Sequence, residues 1–166
     1  MRTNTYNSER GVSTIEFAVV SGFFLMMIVA IVAGGHFYWT HNALVEATRR
    51  GARYAANQCR PGAAGCNSTN TISNIQNVVV YGSPTGGTQP FIPNLTATNV
   101  TVSYSVRPDS PDTEAFGVAQ GTVSVKIQGY SYSFPLAPSA FAMPEYETTV
   151  RGESAGYVAG AYVCAP

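Results

Sequence analysis

Charge is scarce in this chain. Aspartate, glutamate, lysine and arginine together make up 11% of its 166 residues, against roughly 25% in ordinary soluble domains. Nine basic and nine acidic side chains cancel. Apart from Arg49, Arg50 and Arg53 the basic residues are dispersed, so there is no cationic stripe for a phosphate backbone to follow, and nucleic acid is not an expected partner. Histidine is nearly absent: His36 and His41 stand five apart on one expected helix, a spacing that does not turn them toward a common metal, and they read as polar residues at a membrane boundary. The three cysteines, Cys59, Cys66 and Cys164, have no histidine at zinc-ligand spacing. Neither a metal nor a cofactor is therefore expected. The sequence also lacks a G-x-S-x-G elbow, a Walker loop, a dinucleotide fingerprint and an H-E-x-x-H helix, so no catalytic residue emerges, no small-molecule substrate is evident, and the reading is that of a non-enzyme. Asp109, Asp112 and Glu114, on a proline-rich stretch, supply too few fixed oxygens for calcium and read as a solvated cluster.

Proline is missing between Val12 and Ala56, which leaves nothing to break a single helix over that whole stretch. What fills its first half is apolar. Phe17 to Trp39 reads FAVVSGFFLMMIVAIVAGGHFYW, about 35 Å as a helix against roughly 30 Å of bilayer hydrocarbon. Phe37, Tyr38 and Trp39 then form an aromatic cluster suited to the far interface. The preceding polar leader carries Arg2 and Arg10, which favour a cytoplasmic N-terminus. A cleaved secretory signal is the competing reading, but the apolar run exceeds the usual h-region of about 7–15 residues.

At the mouth of this run stand Arg10-Gly11-Val12-Ser13-Thr14-Ile15-Glu16-Phe17, a glycine followed at the fifth position by a glutamate. This junction resembles the prepilin-peptidase site of the type IV pilin superfamily. The resemblance implies a cut after Gly11, a new N-terminus at Val12, and a role in assembly for Glu16. Beyond the membrane, His41 to Ala55 (HNALVEATRRGARYA) is similar to the helix extension of TadE-like proteins, the narrower family that Gly11 to Ala56 resembles. The chain departs from that family in having Ser21-Gly22 where a proline is common and Ala33-Gly34-Gly35 where an acidic residue often precedes the glycine. The resemblance implies a minor pseudopilin of a Tad-type (Flp) pilus acting in assembly and adhesion, with the prepilin peptidase, the major pilin and other pseudopilins as partners. The alternative is a single-pass membrane protein with an outer binding module and no part in a pilus.

Glu16 has a physical rationale of its own. A carboxylate at the edge of hydrocarbon is costly unless it meets water or a cation. An α-amine released on Val12 would offset that cost through a charge pair in low dielectric, in the same or a neighbouring subunit.

Further along, Leu44, Ala47, Thr48, Gly51, Tyr54 and Ala55 fall at i, i+3, i+4 spacing and form one weakly apolar face for a distal sheet, while Glu46 is in reach of Arg49 or Arg50. Cys59 and Cys66 flank a Pro/Gly loop that a disulfide could close; pairing of either with Cys164 is equally allowed. Ile72, Ile75, Val78 and Val79 predict a short helix over Thr71 to Val80, with Asn70 as N-cap and Gly82 as its stop. Val100, Val102, Tyr104 and Val106 alternate with Thr and Ser, and Val123, Val125 and Ile127 alternate again with polar residues, the period of half-buried strands. At Gly129 the phase shifts to Tyr130, Tyr132 and Phe134, which reads as a bulge. Tyr146, Thr148 and Val150 supply a third strand, and Ser154 to Pro166 reads as a last strand or a tail.

The expected architecture is α+β and pilin-like. It comprises a cytoplasmic leader over 1–11, a transmembrane and assembly helix over 12–56, and an extracytoplasmic α+β domain over 57–166. The expected location is the bacterial inner membrane.

Overall fold

The computed structural model describes residues 8–58, 60–61, 68–105, 121–134 and 140–152. The fold is α+β. Helix α1 spans Ser8–Ala56 and helix α2 spans Ser68–Tyr81. A 3-10 turn at Ala97–Asn99 leads into strands β1 (Val100–Ser105), β2 (Thr122–Ile127), β3 (Ser131–Ser133), β4 (Ala140–Ala142) and β5 (Tyr146–Arg151). Two compact units divide the chain at Trp39 and Thr40, so α1 contributes to both.

In the first unit, the proline-free apolar sequence stays helical throughout. Gly22, Gly34 and Gly35 leave it unbroken, and an added Cβ at any of them would meet nothing within 4 Å. Ser21 turns its hydroxyl back to donate to the Ala18 carbonyl at 3.0 Å, removing a polar group from the helix surface.

The second unit is built on an antiparallel sheet in the order β1-β2-β5. Strand alternation sorts its two faces. The inner rows are Val100, Ile127 and Tyr146; Val102, Val125 and Thr148; Tyr104, Val123 and Val150. The outer rows are wholly polar: Thr101, Lys126 and Glu147; Ser103, Ser124 and Thr149; Ser105, Thr122 and Arg151. On that outer face Lys126 pairs with Glu145, and Ser124 donates to Glu147 Oε1 at 2.5 Å. Such a face belongs in water, and the inner face must be covered.

Helices α1 and α2 line the core that covers it. Ile75, Val79 and Val80 of α2 are buried together with Ile92 and Leu95 of the loop that follows. From α1 come Thr40, Leu44, Ala47, Thr48, Ala52, Ala55 and Ala56, all at or below 1% exposure. At Gly51 the approach is close, for a Cβ there would lie 2.3 Å from Val79 Cγ2 and 3.4 Å from Val125 Cγ1. Small residues on this face let α1 approach both α2 and β2. Tyr54, expected on the same face, is only half-buried.

Two expectations for the second unit change. Helix α2 begins at Ser68, so Asn70 lies inside it rather than capping it; Gly82, with φ +78, does stop it, its N–H donating to the Val78 carbonyl at 3.0 Å. Gly129 is not a bulge within one strand. With φ +67 it takes the left-handed conformation after β2 has ended, and β3 goes on to pair with β4 in a separate two-stranded ribbon. The phase shift is real: Tyr130 and Tyr132 are buried, and Tyr132 meets Phe134 edge to face at 4.9 Å. Val106 and the 154–166 segment lie outside the described residues.

Candidate assembly helix and cleavage junction

Gly11, Val12 and Glu16 all lie on the first turns of α1, exposed to the surroundings. A Cβ on Gly11 would touch nothing within 4 Å, and Val12 is 54% exposed. A helix places residues four apart on one face, roughly 5–6 Å between Cβ atoms, so Val12 and Glu16 are neighbours one turn apart. The junction residues are thus brought together by local geometry alone.

From this junction to Trp39 the helix is apolar on all sides and uncovered. Among the described residues, every exposed large apolar side chain except Phe91 and Phe141 belongs to α1 between Val12 and Trp39. A helix apolar all round demands an apolar medium. The same helix is the one among the described residues long and apolar enough to cross a bilayer, and it fits a membrane anchor. Tyr38 and Trp39 stay exposed at its end, where the His36 ring lies 6.0 Å from that of Trp39.

Past Trp39, α1 becomes part of the second unit, and polar bonds fix it there. His41 Nδ1 lies 2.7 Å from Tyr146 Oη, with the two rings edge to face at 5.2 Å. Thr48 Oγ1 donates to the Val45 carbonyl at 2.7 Å and lies 3.0 Å from Thr148 Oγ1, which leaves Thr148 as the donor between the two hydroxyls. Burial pushes the Tyr146 phenol up from its ordinary range. His41, expected at a membrane boundary, is thus a contact to β5. Its position three residues before Leu44 and seven before Thr48 puts it on the buried face, a signal present in the spacing; its partner, 105 positions away, was not.

Arg50 also finds a distant partner, its guanidinium carbon 5.3 Å from the centre of the Phe91 ring. Arg49 and Arg53, on either side, are exposed. Cys59, Cys66 and Cys164 lie outside the described residues, as do Asp109, Asp112 and Glu114. Among the described residues no group of three or more His, Cys, Asp or Glu side chains is gathered to hold a metal.

Neither a curated protein nor a solved structure matches the chain. One family does: residues 11–53 match the model described as "TadE-like protein". The matched segment begins at Gly11 and runs along α1 through the exposed apolar stretch to Arg53, and so includes Leu44, Ala47, Thr48 and Gly51 of the buried face. Over residues 11–53 the chain is therefore similar to the TadE-like family.

Proposed function

We propose that this protein is a minor pseudopilin of a Tad-type pilus, a non-enzymatic subunit that acts in pilus assembly and adhesion. In this reading a prepilin peptidase cuts between Gly11 and Val12, removing the 1–11 leader. The helix from Val12 holds the subunit in the bacterial inner membrane, N-terminus toward the cytoplasm and the 57–166 domain outside. On assembly the same helix exchanges lipid for the helices of the major pilin and other pseudopilins.

The observation that supports this most directly is that one continuous helix carries everything the role needs. The family match starts at the glycine of the junction. Glu16 stands one turn from Val12, and the uncovered apolar surface extends from there to Trp39. An α-amine freed on Val12 would sit at the positive end of the helix dipole, with Glu16 able to compensate both charges. Glycine at position 11 also weakens the helix locally by about 1 kcal/mol relative to alanine, which favours opening of the backbone at the site of the cut.

Intact mass and N-terminal sequencing of the protein isolated from membranes, with and without the peptidase, test the proposal. The expected mature chain begins at Val12, and Gly11→Leu leaves the leader attached and abolishes incorporation into fibres. A chain that keeps Met1 in the presence of the peptidase, or a Gly11→Leu variant that assembles normally, would overturn it in favour of a single-pass protein with an outer binding module.

A further inference from the structure

The three arginines in the domain half of α1 divide into one that the fold uses and two that it does not. Arg50 turns inward over the Phe91 ring, with Nη1 close to Gly82. Arg49 and Arg53 point outward, exposed, and neither guanidinium has a carboxylate partner among the described residues. They are four apart and therefore stacked one turn above the other. Asn42 and Glu46 continue the same line toward the N-terminus, at spacings of four and three, and are exposed as well. Opposite this stripe the helix is packed on its own domain through Leu44, Ala47, Thr48 and Gly51.

We propose that Arg49 and Arg53 form a docking face for a helix of another pilin-like subunit, one that presents two carboxylates a single turn apart. Charge complementarity carries the assignment. The stripe of Glu46, Arg49 and Arg53 is net positive, and its two guanidinium forks are spaced by the helix itself, so they match carboxylates held at the same pitch and can bind them bidentately. An anionic lipid surface is the poorer fit, since such surfaces recognise clusters of about 4–8 basic residues and this stripe carries two. The inference takes its class of partner from the proposed function but does not depend on processing at Gly11.

The test uses the full-length chain in membranes, co-expressed with the other subunits of the same pilus. An Arg49→Lys/Arg53→Lys variant keeps both charges and gives each position a primary amine. A water-soluble carbodiimide then joins that amine to any carboxylate in ion-pair contact, forming an amide as the reagent takes up the water and becomes its urea. Peptide mass spectrometry should map position 49 or 53 to Asp or Glu residues three or four apart in another subunit. An Arg49→Glu/Arg53→Glu variant should lower co-isolation of that subunit about tenfold, two exposed ion pairs being replaced by repulsions. Cross-links confined to Glu46 or other carboxylates of the same chain would overturn the proposal. So would undiminished co-isolation of the reversed variant, or a loss matched by its release from phosphatidylglycerol vesicles. The mature N-terminus, read in the same spectra, separates the two readings. Intersubunit links on a chain that still begins at Met1 sink the peptidase step alone, whereas a chain beginning at Val12 without such links sinks the docking face alone.

Discussion

Thr48 and Thr148, one hundred positions apart, share a hydrogen bond between their hydroxyls at 3.0 Å, and that bond joins α1 to β5. Thr48 is 1% exposed and spends its own proton on the Val45 carbonyl, so Thr148 supplies the proton between them. Two turns earlier on α1, His41 reaches Tyr146 on the same strand. The domain half of the helix is therefore held both by packing and by directed polar contacts, which define its register on the sheet where small alanines alone would let it slide.

Replacing Thr48 with valine keeps its shape and removes both hydrogen bonds. The outer unit should lose about 1–2 kcal/mol, read as a shift in the urea unfolding midpoint of the detergent-solubilised protein. Thr148→Val should cost less, because Thr148 is only half-buried. A double-mutant cycle should return a coupling of about 1 kcal/mol. Additive single effects would show that the contact contributes nothing of its own.

Gly51 offers a sharper case. Alanine is the better helix former by about 1 kcal/mol, yet its Cβ would fall 2.3 Å from Val79 Cγ2. Overpacking should win, and Gly51→Ala should destabilise the unit by about 1–3 kcal/mol. Shortening the obstacle with Val79→Ala in the same chain should recover part of that loss. A Gly51→Ala protein as stable as the parent would show that α1 does not pack on α2 at this point.

The helices and the main sheet were legible because their signals are local. An uninterrupted apolar run, the spacing of Leu44, Thr48 and Gly51, and the alternation through Val102 and Val125 each follow from periodicity within a few residues. Gly11, Val12 and Glu16 share the first turns of α1, as an unbroken helix requires. Strand β4 was not. Ala140-Phe141-Ala142 is too short and too uniformly exposed to alternate, and it exists as a strand only by pairing with β3. Gly129 announced a change of phase but could not say that the chain would leave the sheet. The partners of His41 and Arg50 were out of reach, because tertiary packing chose them from more than a hundred and from about forty residues away.

Tyr104 should respond to alkali. Its hydroxyl is buried without a hydrogen-bond partner, and burial pushes its pKa up to about 12 from 10.0. The folded state thus holds the proton more tightly than the unfolded chain. The resulting stability is fully present below about pH 10 and is lost as pH rises toward 12. Tyr104→Phe removes the unpartnered oxygen, so it should leave the unit as stable or up to about 1 kcal/mol more stable at neutral pH. It should also flatten this part of the alkaline decline. Thermal unfolding across pH 8–12 for both proteins gives the comparison, and an unchanged alkaline slope in the variant would assign the decline to other groups.

Glu16 decides whether the junction serves assembly or only insertion. At the edge of hydrocarbon a carboxylate opposes burial of the helix, so Glu16→Gln should partition into membranes at least as well as the parent. The cut after Gly11 should proceed, because the scissile bond is unchanged. What Gln lacks is the negative charge that would meet the Val12 amine of its own or a neighbouring chain. Loss of one such pair in a low-dielectric setting should lower incorporation into fibres about tenfold or more. Glu16→Asp, one methylene shorter, should fall between the two. Quantitative immunoblotting of sheared fibres against the membrane fraction measures the ratio. A Glu16→Gln protein that is cut at Val12 and assembles at parental levels would mean that the charge at position 16 has no part in the fibre.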